Sequence, residues 1–158
     1  MKVAPFLFGL LFASPLAAFE CSDGRLALEW DGGAVEFNVD VADDEEERAQ
    51  GLMFVESMPR FTGMLFVYPE PQRFIAFWMR NTLIPLDMLF FDEKGILHKI
   101  HENAVPLDET SIPGGEGIQY VLEINGGLSE RLRIKEGAVL VSPAIDQTTA
   151  LRPCEKSQ

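Results

Sequence analysis

The strongest constraint on this chain is its punctuation. Runs of β-branched and aromatic residues are short, and glycine or proline cuts off nearly every one. A buried helix needs a longer stretch with apolar residues three or four apart, and such stretches are scarce here. Residues 25–30 and 34–41 alternate apolar and polar on either side of Asp31-Gly32-Gly33. That predicts a hairpin, because glycine supplies the positive φ of a tight turn. Further strands are expected at 64–68 and 74–80, separated by Pro69-Glu70-Pro71. Residues 88–91 and 96–101 read as strands joined by the turn Asp92-Glu93-Lys94-Gly95, and 119–125 and 138–141 as two more. Asp43 is expected to cap a short helix ending at Gly51, with Glu46 three residues on, and 126–134 suggests a second short helix or turn. The expected fold is mainly β, a β-sandwich or barrel-like sheet with one or two short helices. Residues 102–117, with Pro106, Pro113 and Gly114-Gly115, form the longest expected loop, and long loops on rigid sheets often carry function.

The first 18 residues follow different rules. Lys2 and the amino terminus give a short positive region, and no charged residue follows until Glu20. An apolar run from Pro5 to Phe12 leads into Ser14-Pro15-Leu16-Ala17-Ala18. This pattern is that of a secretory signal helix cleaved after Ala18. The run is shorter than a membrane-spanning helix and is broken by Pro15. Phe19 and Glu20 stand between the small residues and Cys21, which argues against a lipid anchor. The reading is therefore residues 1–18 as signal and 19–158 as one globular domain, exported to the periplasm or outside the cell. No membrane anchor is expected after processing.

The full chain has 13 basic and 25 acidic residues, a net charge of −12. Removing residues 1–18 takes away one base and no acid, leaving −13. Such a charge argues against nucleic acid and anionic membrane partners, which reward clustered Lys and Arg. Cys21 and Cys154 lie near opposite ends of the chain. In an oxidising compartment an even pair reads as a disulfide, with a chain-entropy gain of about 4–5 kcal/mol at most.

Several strings occur in one order: Gly51-Leu52-Met53-Phe54, Gly63-Met64-Leu65-Phe66, Trp78-Met79-Arg80-Asn81-Thr82-Leu83-Ile84-Pro85-Leu86-Asp87, Ile100-His101-Glu102 and Leu122-Glu123-Ile124-Asn125-Gly126-Gly127. Together they resemble the bacterial and archaeal family catalogued as domain of unknown function 192, over roughly residues 35–141. Val55 departs from the arginine that similar sequences usually carry there. The resemblance implies a compact β-rich fold, often exported, and brings no activity with it.

The candidate site residues are Trp78, Arg80, Asn81, Asp87, His101 and Glu123. Arg80 and Asp87 flank a turn set by Pro85, where a guanidinium–carboxylate pair would lock the loop. Alternatively Arg80 and Asn81 offer donors to a polar ligand beside Trp78, whose apolar face and polar rim suit a sugar-like group. His98 alternates with Ile96 and Ile100 and is expected to be half-buried. His101 opens the long loop, and Asp87 or Glu123 could orient it. Three residues apart on a strand, the two histidines face opposite sides and form no shared metal site. No metal or cofactor is expected. Nucleophile elbow, phosphate loop and His-Glu-x-x-His are absent from the sequence. The methionines read as core filling.

Three functions compete: a binding module for a small polar ligand, for instance a sugar-like one; a hydrolytic enzyme using Asp87, His101 and Glu123; and a structural or protein-partner domain. The first is favoured, with an unknown small ligand or protein as partner. An enzyme is the less expected outcome.

Overall fold

A computed structural model describes residues 19–154. The expected signal segment lies outside the described residues. Nine strands run β1 (Arg25–Trp30), β2 (Gly33–Ala42), β3 (Thr62–Gln72), β4 (Ile75–Phe77), β5 (Leu86–Asp92), β6 (Leu97–Ala104), β7 (Ile112–Gly115), β8 (Ile118–Asn125) and β9 (Val139–Val141). Two short helices, α1 (Glu45–Gln50) and α2 (Leu128–Leu132), complete the described part. Seven strands form one sheet in the order β6-β5-β8-β3-β2-β1-β9, and β4 and β7 pair as a separate ribbon. The expectation of a mainly β, barrel-like fold is met.

The hairpin around Asp31-Gly32-Gly33 forms as its alternation requires, with Leu28 opposite Val35 and Leu26 opposite Phe37. β2 and β3 pair in parallel, so the chain must cross over between them. α1 lies in that crossover. Its N-cap is Asp44, whose carboxylate accepts from the Glu47 N–H at 2.8 Å. The cap therefore sits one residue later than expected. Gly51 ends the helix at φ 50°, donating its N–H to the Glu47 carbonyl at 2.8 Å.

The two edge strands meet at one end and curl the sheet into a half-barrel. Ile96 bridges Val139. Leu97 donates to the Ala138 carbonyl, Gly137 to Leu97 and Leu140 to Gly95, each at 2.8 Å. The concave side holds a core to which all seven strands contribute, including Leu26, Phe37, Leu65, Leu89, Leu97, Leu122 and Leu140. The convex side of β3, β8, β5 and β6 is covered as well. There Phe66, Met88, Phe90 and Val121 pack under the β4–β7 ribbon and Met79. Neighbours in sequence thus point to opposite cores: Leu65 and Phe66, Leu89 and Phe90, Val121 and Leu122. This explains why β5 and β8 read as continuous apolar runs rather than alternating ones. Burying a side chain such as Phe90 completely contributes about 1.5–3 kcal/mol.

Three expectations are corrected. The loop at 102–117 is much shorter, because β6 runs to Ala104 and Ile112–Gly115 forms β7 against β4. Pro69-Glu70-Pro71 does not separate strands; β3 continues through it to Gln72 as an unpaired bulge between Val67 and Gln72. His98 is exposed and its ring nitrogen lies 2.9 Å from the Asp92 carboxylate. Asp92 also holds its turn, accepting from the Lys94 and Ile96 N–H groups at 2.9 Å.

Candidate functional site

Glu123 lies in β8 between Leu122 and Ile124, which face the concave core. Strand alternation turns Glu123 to the convex side instead. Met64 on β3 and Met88 on β5 stand opposite it, and His101 on β6 stands opposite Met88. The four make one row across the sheet. Glu123 is 4% exposed. Among the described residues no hydrogen-bond donor reaches its carboxyl, and no fully buried side-chain polar atom is left without a partner. Glu123 lines a pocket of about 50 Å³.

Arg48, Leu52, Met53, Phe66, Phe77, Trp78, Arg80 and Thr82 line that pocket with Glu123. Burial pushes the Glu123 carboxyl up to about 8, so it keeps its proton at neutral pH. Neither arginine in the lining bonds the carboxyl, and burial alone sets the direction. Arg48 donates to the Val67 carbonyl at 2.8 Å and to the Asp43 carbonyl, and stacks 5.1 Å over the Tyr68 ring. Arg80 stacks 5.5 Å over Trp78. Burial also raises the Tyr68 hydroxyl, opposed by Arg48 and reinforced by Glu123.

The mouth of the pocket is built on bent backbone. Asn81 adopts φ 55° and Phe54 φ 65°. The Phe54 N–H donates to the Asn81 carbonyl at 2.8 Å, and the Asn81 amide points at the Met53 sulfur, 3.9 Å away. On the other side Leu107, at φ 64°, donates to the Thr82 carbonyl at 3.1 Å. Left-handed backbone at bulky residues costs about 1–3 kcal/mol each and concentrates at functional loops. Phe54, Trp78, Leu83, Val105 and Leu107 are all exposed, giving these loops an apolar surface.

Asp87 belongs elsewhere. It follows Leu86 and precedes Met88 in β5, and it is fully buried. One carboxylate oxygen accepts from the Asn103 and Gly127 N–H groups at 2.8 and 2.7 Å. The other accepts from the Ser129 N–H at 2.8 Å and the Ser129 hydroxyl at 2.6 Å. The expected Arg80–Asp87 pair is not made; backbone N–H groups take its place. Nor do Asp87, His101 and Glu123 converge, since Met88 separates His101 from Glu123 and Asp87 alternates to the other face. Of the sequence-predicted residues, the pocket gathers Trp78, Arg80 and Glu123, with Asn81 bracing its mouth. Sequence reasoning missed Arg48, Met53 and Thr82. Arg48 carried a signal as the one base in an acidic run, and Met53 and Thr82 lie inside the strings that carry the family resemblance.

Two larger grooves are open to solvent. One, of about 500 Å³, lies beside Arg60, Asn125 and Arg131; the other, of about 350 Å³, lies beside Asn38, Val55 and Thr62. Neither has a buried ionisable group in its lining. Among the described residues no three His, Cys, Asp or Glu side chains gather as metal ligands. Cys21 and Cys154 form a disulfide with Cα atoms 5.8 Å apart, inside the usual span.

The DUF192 family model, described as an uncharacterized ACR, matches residues 27–142. The chain belongs to DUF192. Two solved structures resemble this DUF192 protein. One, from Sinorhizobium meliloti 1021 and provisionally described as a transcription regulator, is 39% identical and has a TM-score of 0.72. The match covers 78% of this chain and 96% of that one. The other is a protein of unknown function from Novosphingobium aromaticivorans DSM 12444, 36% identical with a TM-score of 0.71. It covers 84% of this chain and 99% of that one. No curated protein matches this DUF192 chain.

Proposed function

We propose that this DUF192 protein is an exported, single-domain binding module for a small polar ligand, which places one polar group over Glu123. One observation carries the reading: the carboxyl of Glu123, a residue only 4% exposed, lines a small pocket together with Trp78, Arg80 and Thr82. An ionisable group that burial shifts and that faces a cleft marks a candidate ligand-facing position. The space accepts only a few heavy atoms, and the rest of the ligand would lie on Trp78 and the exposed loops. A sugar-like ligand would present a hydroxyl to Glu123 and a ring face to Trp78.

Export is supported by the N-terminal pattern and by the Cys21–Cys154 bond, which suits an oxidising compartment. No helix among the described residues is long and apolar enough to cross a membrane. The net charge of −12 supports a function without nucleic acid, so the description of the Sinorhizobium relative is not carried over. A hydrolytic role draws no support from an Asp87 whose oxygens are already taken by four donors.

The test is a fragment screen by NMR on the domain from residue 19 onward. Bound fragments should shift the Met53, Trp78 and Thr82 signals and lose at least tenfold in affinity in Trp78→Ala. Fragments that shift only the Arg60–Arg131 groove would move the site and sink this reading.

A further inference from the structure

The polarity of the pocket narrows the ligand, on the reading that the pocket binds one. We propose that Glu123 receives a primary ammonium group carried on an apolar stem, as an alkylamine or a lysine side chain presents it. The walls are Phe66, Phe77, Leu52 and Met53, with Trp78 at the opening. Aromatic faces and methylene stems suit each other, and aromatic rings favour a cation over an anion. An ammonium group has three donors and no acceptor. The pocket offers the two Glu123 oxygens and the Thr82 hydroxyl, whose own contact to the Arg80 carbonyl is a long 3.4 Å. Of the two cations in the lining, Arg48 donates to two carbonyls and Arg80 stacks on Trp78, so neither bonds the Glu123 carboxyl. The net charge of the chain, −12, draws cations towards it.

Four ionisable groups surround the site: Arg48 from α1, Tyr68 from β3, Arg80 from the turn after β4, and His101 beyond Met88 on β6. None of them supplies a partner for the carboxyl. An entering ammonium does, and it releases the Glu123 proton as it binds. Affinity should then rise by up to tenfold per pH unit from pH 6 to about 8, where Glu123 titrates, and level off beyond it.

The experiment is calorimetric titration of the domain from residue 19 onward with n-butylamine, butyramide and butanoate at pH 6, 7, 8 and 9. The expected result is preference for n-butylamine, an affinity rising with pH, proton release that scales with buffer ionisation heat, and at least tenfold loss in Glu123→Gln. Tighter binding of butyramide or butanoate, or affinity falling across the same window, would overturn the ammonium assignment while leaving the pocket as a binding site. No binding of any probe to folded protein at any pH would remove the pocket reading as well. Acetyl-Leu-Lys-Leu-amide separates the two sources of the ammonium. If a polypeptide lysine is the ligand, it binds at least tenfold tighter than n-butylamine and loses that gain in Phe54→Ser. If a free amine is the ligand, the two bind alike.

Discussion

Asp87 and Glu123 lie on adjacent strands one row apart, and they do opposite things. Asp87 is saturated by three backbone N–H groups and one hydroxyl, and so ties β5 to the end of β6 and the start of α2. Removing it strands those donors, each costing about 1–3 kcal/mol if buried and unmet. Asp87→Ala is therefore expected to lose at least about 3 kcal/mol of stability, read as a lower urea midpoint. Glu123 carries the contrary sign. Its folded carboxyl titrates near 8 against an ordinary value of 4.5. Between those values the folded state holds a proton that the unfolded state has released. Stability therefore falls as pH rises from about 4.5 to 8, by on the order of 5 kcal/mol at most. Glu123→Gln should erase that slope: its stability relative to the parent should climb across the window and stay flat above it, in denaturation curves from pH 4 to 9. The sequence named both acids but could not tell them apart. Three of Asp87's four partners are backbone groups 16 to 42 residues away, and backbone donors leave no trace in side-chain identity. Glu123 was more legible, as a lone acid inside an apolar strand.

At the scale of elements, local signals worked where local chemistry decides. The first hairpin follows from alternation and two glycines, and β1 spans the residues expected of it. The helix cap slipped by one because Asp43 and Asp44 each have a glutamate three residues on. What ranks them is non-local: β2 runs to Ala42, and Arg48 reaches the Asp43 and Val67 carbonyls. β7 was invisible because Ile-Pro-Gly-Gly has almost no strand character. Its place depends instead on what glycine lacks. A Cβ on Gly114 would stand 2.3 Å from the Phe90 ring, and Phe90 packs edge-on to Phe77 in β4 at 6.0 Å. Gly114→Ala should cost about 1–3 kcal/mol through overpacking. Hydrogen exchange should show the added opening in the β4 and β7 amides before it appears in β1 and β2.

At the scale of the molecule, the β-rich class and the family were legible, while the pairing order was not. Alternation tells which face a residue takes but not which strand lies beside it, so the parallel β2–β3 pair and the β6–β9 closure had no local signal. The covalent closure was legible, because two cysteines allow only one pairing. Cys21→Ser with Cys154→Ser should lower stability by at most about 5 kcal/mol, the chain-entropy limit for residues 133 apart. Urea unfolding with and without reductant checks it: the parent should shift on reduction and the double variant should not.

The disulfide also changes what a cut means. From residue 21 to residue 154 the covalent path is a closed ring. A linear chain nicked once becomes two pieces held by packing alone, and either can leave. A ring nicked once becomes a single linear molecule with new ends and the same strands in place. A protease that clips the exposed turn at Gly32 would meet a protein that stays whole, and release of a fragment would take either a second cut or the loss of one sulfur–sulfur bond.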